Sequence, residues 1–272
     1  MPARLRRSCL AVPASSPAML AKAAGLPADE LVVDLEDGVA VADKESAREH
    51  LATAHARGTL AVRINGVRTP WWRDDLAAAA HADVIVVPKV ESPEEVAAVV
   101  ALLPAGVGLE VQIETARGLV EVERIAAAGG PLEALVFGPG DFAASIGVPV
   151  LTIGAGASEY ALARIAVAAR AFGLQPVDGP YAVLADTEGL AESARRALAH
   201  GYDGKWVIHP DQIEPVNDAF TPSAAEMERA RAIVAAADGA SRLDGDMVDA
   251  ATKRLAESVL ARGTLFTTGP SG

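Results

Sequence analysis

Again and again this chain closes an apolar run with a residue that can do chemistry on oxygen. Glu36 and Asp37 follow residues 31–35, Arg63 lies at the end of 60–64 with Asn65 behind it, and Lys89 follows 84–88. Glu114 follows 108–113, Asp141 follows 134–138, Asp178 follows 175–177, and His209 follows 206–208. Each has an ordinary reading when taken singly. Glu36 and Asp37 suit a solvated loop, Glu114 and Asp141 suit helix caps, and His209 before Pro210 suits a hydrogen-bonded structural imidazole as well as a catalytic one. Taken together they place four carboxylates, Glu36, Asp37, Glu114 and Asp141, and the guanidinium of Arg63 at one end of a set of strands. Like charges so gathered repel strongly unless a cation sits among them.

The cation that suits two to four oxygens and several waters is Mg²⁺, with Mn²⁺ as its substitute. Glu114 and Asp141 are the expected ligands, because neighbouring strands can aim both at one point. Glu36 and Asp37 then hold metal-bound waters. Arg63 opposite them suits a carboxylate or carbonyl oxygen through its planar fork. Such a site favours an enolate or alkoxide, and so C–C cleavage or formation beside a carbonyl. Schiff-base chemistry on Lys89 is the rival.

The elements that must position these residues alternate regularly. Apolar runs at 9–12, 31–35, 60–64, 84–87, 108–113, 134–138, 175–177 and 206–208 predict strands. Between them, 17–24, 42–56, 71–80, 93–103, 119–127, 158–172 and 188–200 predict helices. Such βα units predict a (β/α)8 TIM barrel over residues 1–220, with a doubly wound open sheet as competitor. Gly138-Pro139-Gly140 is expected to end strand six and leave Asp141 in a loop, the alternative being the N-cap of a helix starting at Phe142. Two more helices, 224–237 and 247–262, form a C-terminal helical lid or extension over 221–272, ending in an unstructured tail from about 267.

Composition limits the partners. A formal charge of −12 argues against nucleic acid, which needs a basic stripe, but not against a small anion held by local cations. Arg4, Arg6, Arg7, Lys22, Arg63 and Lys89 are the candidates, with Arg7, Lys22 and Lys89 expected on the anionic part of a cofactor. No apolar run approaches the roughly 20 residues of a bilayer span. The apolar part after Arg4, Arg6 and Arg7 is too short for a signal peptide. The single cysteine, Cys9, excludes an internal disulfide and fits a reducing cytoplasm.

Six stretches in order resemble the citrate lyase β-subunit and malyl-CoA lyase family of the HpcH/HpaI aldolase superfamily. They are Leu35-Glu36-Asp37-Gly38-Val39, Val62-Arg63-Ile64-Asn65, Val87-Pro88-Lys89-Val90-Glu91, Ile113-Glu114-Thr115-Ala116, Gly138-Pro139-Gly140-Asp141, and the run from Gly204 to Ile213. The resemblance implies a Mg²⁺-dependent lyase for a CoA thioester, with metal on Glu114 and Asp141 and substrate oxygens near Arg63. It implies a homotrimer or hexamer in which a C-terminal segment reaches the next subunit, bringing Asp249 as acid–base. Without the resemblance, Asp249 suits the first turn of the last helix equally well. The Asp178-Gly179-Pro180-Tyr181 and Gly204-Lys205-Trp206 stretches look closer to malyl-CoA lyases than to citrate lyase β-subunits. The expected reaction is malyl-CoA to acetyl-CoA and glyoxylate, with pyruvate or oxaloacetate as other oxo-acid partners. A malyl-CoA thioesterase, a citryl-CoA lyase and a CoA-independent 2-keto acid aldolase are the alternatives. One departure from the pattern is Ala18, where relatives often carry a basic residue facing the nucleotide, which leaves Lys22 and Arg4, Arg6 and Arg7 for the phosphates.

Overall fold

The computed structural model describes residues 4–149, 158–236, 241–243 and 245–267. The chain forms two compact units, Met1–Asn217 and Asp218–Gly272. In the first, eight parallel strands close into a barrel in sequence order: β1 (Ser8–Pro13), β2 (Glu30–Asp34), β3 (Thr59–Arg63), β4 (Val84–Val87), β5 (Gly108–Ile113), β6 (Leu132–Phe137), β7 (Gln175–Asp178) and β8 (Gly204–Val207), the last pairing with β1. The strands are short and mostly apolar because helices cover them outside and side chains fill the bore. The helices between them are α1 (Pro17–Ala23), α2 (Lys44–His50), α3 (Trp72–Ala78), α4 (Pro93–Val100), α5 (Ala116–Val120), α6 (Val122–Ala126), α7 (Pro139–Ser145), α8 (Glu159–Ala171) and α9 (Thr187–Ala199). This is a (β/α)8 TIM barrel, and the open sheet is excluded by the β1–β8 pairing.

Alternation along the strands decides what enters the bore. Cys9, Val32, Ala61, Val84, Val86, Ala134, Val136, Val177 and Trp206 form one buried cluster there. Side chains two positions along a strand point the same way. Asp34 therefore follows Val32, and Arg63 follows Ala61, into the carboxyl-terminal end of the bore, where the two residues are in register on adjacent strands. The amino-terminal end is plugged by Arg6, which is fully buried beside Glu30 (3.3 Å) and Glu133 (2.6 Å) and also pairs with Glu110 and Gln175.

Several expectations are corrected. Asp141 lies in the first turn of α7, with Gly138 at its N-cap, because Pro139 occupies the first helical position where its missing N–H costs nothing. The helix expected over 42–56 is α only at Lys44–His50, flanked by 3₁₀ turns at Val41–Asp43 and Leu51–Thr53. The helix expected over 119–127 breaks at Glu121 (φ −96°, ψ 5°) into α5 and α6. Residues 150–157, inside the long excursion after strand six, lie outside the described residues.

Helix α10 (Ile213–Phe220) runs through the boundary between the units. In the second unit α11 (Ala224–Ala236) and α12 (Ala250–Thr267) pack on one another. Between them β9 (Ser241–Leu243) and β10 (Asp246–Val248) form an antiparallel hairpin. Met247 and Val248, expected in the last helix, thus belong to a strand, and Gly245 at φ +96° permits the tight turn before them. Asp244 and the tail 268–272 lie outside the described residues. Among the described residues no helix is long and apolar enough to cross a membrane.

Candidate active site

A cavity of about 410 Å³ opens at the carboxyl-terminal ends of the strands and is lined by Asp34, Asp37, Arg63, Gln112, Glu114, Asp141 and Trp206, with Met19, Pro180 and Ile208 at its apolar wall. Arg63, at the end of β3, donates from Nε and Nη2 to the two oxygens of Asp34 at 2.7 Å each. Its Nη1 lies 3.3 Å from Gln112 Oε1 and 3.2 Å from Glu36, and the guanidinium stands 5.4 Å from the Trp206 ring centroid. Burial opposes the charge on Arg63, but Asp34, Glu36 and Glu114 hold its pKa above the ordinary arginine value, so it is a permanent cation.

Glu114 is buried at the end of β5. Its Oε1 accepts from the backbone N–H of Lys89 at 2.8 Å, and Lys89 adopts φ +54°. That left-handed conformation is uncommon for a side-chain-bearing residue, and here it turns the amide toward the carboxylate while the ammonium goes elsewhere. A Cβ at position 138 would overlap Glu114 Oε2, so Gly138 is what lets the start of α7 pass this close. Burial pushes the Glu114 carboxyl up to about 7; Arg63 and Lys89 oppose the shift, and Asp141 and Glu36 add to it. Asp141 stands half-exposed at the mouth.

The loop after β2 brings the remaining carboxylates. Its amides at Glu36 and Gly38 donate to Asp34 at 2.8 Å each. Its carbonyls at Leu35, Glu36 and Val39 accept from the buried ammonium of Lys44 at 2.9, 3.0 and 3.2 Å. Glu36 is buried and Asp37 exposed, and both pair with Lys89 Nζ, which also lies 3.3 Å from Asp141. Burial raises the Glu36 pKa against Arg63 and Lys89; Asp37 is lowered despite burial, mainly by its hydrogen bond to Lys89. Burial pulls the other way on Lys89, yet these carboxylates hold its pKa above the ordinary lysine value. An amine so protonated is a poor carbonyl nucleophile, which counts against Schiff-base chemistry.

The structure therefore brings together Glu36, Asp37, Arg63, Lys89, Glu114 and Asp141. It does not bring Arg7 to them. Arg7 precedes β1, at the opposite end of the barrel, and its guanidinium binds Asp29 at 2.8 Å through both Nε and Nη2. Arg6 fills the barrel floor, and Arg4 pairs there with Glu133 at 3.2 Å. Lys22 is exposed on α1 and is not among the residues lining the cavity. Asp178 faces away from the bore, since Val177 faces into it, and is bound by Lys205 Nζ at 2.5 Å. His209 caps the 3₁₀ turn Pro210–Gln212, its Nδ1 accepting from the amide of Asp211 at 3.2 Å. Within the second unit, Asp249 caps α12, its Oδ1 accepting from the amides of Ala251 and Thr252 at 2.9 Å each. Those bonds, above all to Thr252, hold its carboxyl below the usual range. Asp34, Gln112, Lys44 and Trp206 escaped the sequence reading, although the period-two pattern of β2, β5 and β8 carries the signal for the three on strands.

Among the described residues no three His, Cys, Asp or Glu side chains converge as metal ligands. A cation here would have Glu114 and Asp141 as protein ligands and take the rest from water and substrate. That donor set fits Mg²⁺, which keeps several waters beside one or two carboxylates, and does not fit structural zinc. Burial is the main cause of the raised Glu114 pKa, and a bound cation would offset it.

The family described as HpcH/HpaI aldolase/citrate lyase matches residues 7–210, and C-C_Bond_Lyase of the TIM-Barrel fold matches 159–268. The L-malyl-CoA/beta-methylmalyl-CoA lyase of Rhodobacter capsulatus is 38% identical over 306 residues, covering 97% of this chain and 96% of that protein. The (3S)-malyl-CoA thioesterase of Cereibacter sphaeroides is 40% identical over 257 residues, 89% of each chain. Among solved structures, CitE from Mycobacterium tuberculosis, in complex with magnesium, acetoacetate and coenzyme A, matches with TM-score 0.82 at 35% identity, covering 94% of this chain and 97% of that one.

Proposed function

Since the chain belongs to the HpcH/HpaI aldolase/citrate lyase family, we propose that it is a Mg²⁺-dependent carbon–carbon lyase that cleaves a β-hydroxyacyl-CoA reversibly, as in malyl-CoA to acetyl-CoA and glyoxylate. The observation that carries this reading is that Glu114, Asp141 and an Arg63 fixed by Asp34 line one cavity at the carboxyl-terminal ends of the strands. When bound to Glu114 and Asp141, Mg²⁺ supplies Lewis acidity to the oxygens of the acid half of the substrate. Arg63 offers hydrogen bonds to the thioester oxygen, where negative charge develops as the C–C bond breaks and an enolate forms. Glu36 and Asp37 orient water at the mouth, which takes the proton that the substrate hydroxyl loses as the C–C bond breaks, and Lys89 holds these carboxylates in place. In this reading Lys89 belongs to the reaction centre more than to the nucleotide. The apolar wall at Met19, Pro180 and Ile208 suits the acyl arm.

Asp249 completes the proposal as the group that moves the proton at the enolate carbon, from a neighbouring subunit of a cytoplasmic homotrimer or hexamer. The match over 159–268 supports including this segment in the enzyme. Asp249 serves as the base in the condensation direction and, once protonated, as the acid in the cleavage direction.

Similarity to a thioesterase favours a second reading, in which the same site hydrolyses malyl-CoA. Mass spectrometry of the purified protein with Mg²⁺ and malyl-, methylmalyl-, citramalyl- or citryl-CoA decides between them. Glyoxylate or another oxo acid with the shortened acyl-CoA is the expected result. Free malate with CoA would replace the lyase by the thioesterase, and no turnover of any of the four would overturn both.

A further inference from the structure

We propose that Asp34 is a positioning residue of this site: it locks Arg63 and the loop carrying Glu36 and Asp37 into one rigid piece, and contributes no bond to substrate. The inference rests on the reading of Arg63 as the group that meets a substrate oxygen.

Counting lone pairs decides the role. An ionised carboxylate offers about four acceptor sites. Asp34 Oδ1 accepts from Arg63 Nε (2.7 Å) and the amide of Glu36 (2.8 Å), and Oδ2 accepts from Arg63 Nη2 (2.7 Å) and the amide of Gly38 (2.8 Å). All four sites are filled. Asp34 thus lines the cavity without acceptor capacity for a substrate, and it has no proton to give: although burial pushes upward, Arg63 and the two amides keep its carboxyl below the usual range.

What those four bonds join is informative. Two go to the guanidinium on the next strand, in register with Asp34, and two go to a loop whose carbonyls are already held by Lys44. The loop amide at Gly38 comes so near that a Cβ there would meet Asp34 Oδ2 at 2.5 Å. On the far side Arg63 stands over the Trp206 ring. Its Nε–Nη2 edge is therefore not on offer to a substrate carboxylate, and a substrate oxygen meets the outer N–H groups of the fork, the second one on Nη2 or those of Nη1 beside Gln112 and Glu36. A donor already aimed before substrate arrives is what stabilises developing oxyanion charge without reorganisation.

Asp34→Asn keeps the volume but loses the paired fork. We expect a folded protein with unchanged Mg²⁺ binding, a kcat for malyl-CoA cleavage lower by on the order of 10²-fold, and a KM changed far less. Because Asp34 acts through Arg63, adding Asp34→Asn to Arg63→Lys should slow the enzyme little further. Losses that multiply would show an independent role for Asp34 and overturn the proposal, as would a variant changed only in KM. A second readout depends on neither substrate nor variant: by ¹⁵N NMR of the wild type, the Arg63 Nε proton should exchange slowly with solvent. Fast exchange would overturn the lock, whereas slow exchange with no malyl-CoA cleavage by the wild type would count against the lyase reading and leave the role of Asp34 standing.

Discussion

Replacing Glu30 by Gln at the floor of the barrel should make the protein more resistant to alkali. Glu30 and Glu110 are fully buried, with the guanidinium of Arg6 paired to both, and Glu133 is shared by Arg6 and Arg4. Among the described residues no nitrogen or oxygen donor reaches either oxygen of Glu30 or Oε2 of Glu110 in hydrogen-bond geometry, and the buried thiol of Cys9 lies beside Glu30. Burial pushes the Glu30 carboxyl well above its ordinary value of 4.5; Glu110 adds to the shift and Arg6 opposes it. A raised folded pKa means that the native state keeps a proton which the unfolded chain releases. The stability it contributes is full below the unfolded pKa and is lost as pH rises through the folded one. Between those values one proton sets the slope, about 1.4 kcal/mol per pH unit. At roughly 2–4 °C per kcal/mol for a domain of this size, the wild type should lose about 3–5 °C of Tm per pH unit from this group alone. Gln is the neutral isostere and its amide can donate to Glu110. Melts of both proteins from pH 5 to 9 should therefore diverge, with Glu30→Gln gaining on the wild type as pH rises. A Tm difference that does not change with pH would refute the reasoning, and so would a variant that falls further behind in alkali.

Asp141→Asn should leave the fold intact and weaken Mg²⁺ binding by at least on the order of tenfold, since a neutral amide is a poor ligand for a hard cation; calorimetric titration reads this directly, and full activity in EDTA would contradict the metal site. For the shared site, Asp249→Asn and Arg63→Ala subunits, each nearly inactive, should recover activity when unfolded and refolded together. Mixed oligomers without activity would reduce Asp249 to the helix cap it forms in its own unit.

The sequence by itself determined the barrel and most of its mouth. Apolar runs closed by Gly, Pro or a charged residue recur often enough to specify eight βα units, and chemistry collects at strand carboxyl ends because that is where loops converge. Glu36, Arg63, Glu114 and Asp141 were legible for this reason. Lys89 was visible as a cation, but its place among three carboxylates depends on a left-handed backbone that no local pattern requires. Arg7 shows the opposite failure. Nearness in sequence grouped it with the mouth, yet a residue before a strand and a residue after it lie at opposite ends of a parallel barrel, and only the closed sheet assigns each its end. Asp34 was the largest omission. As the last residue of β2 it has an ordinary strand-end environment until the register between β2 and β3 sets it beside Arg63. Sequence patterns fix which face of a strand a residue occupies, because that follows from a period of two. Which partner it meets across the sheet follows from register and closure, and those are decided by the packing of the whole barrel.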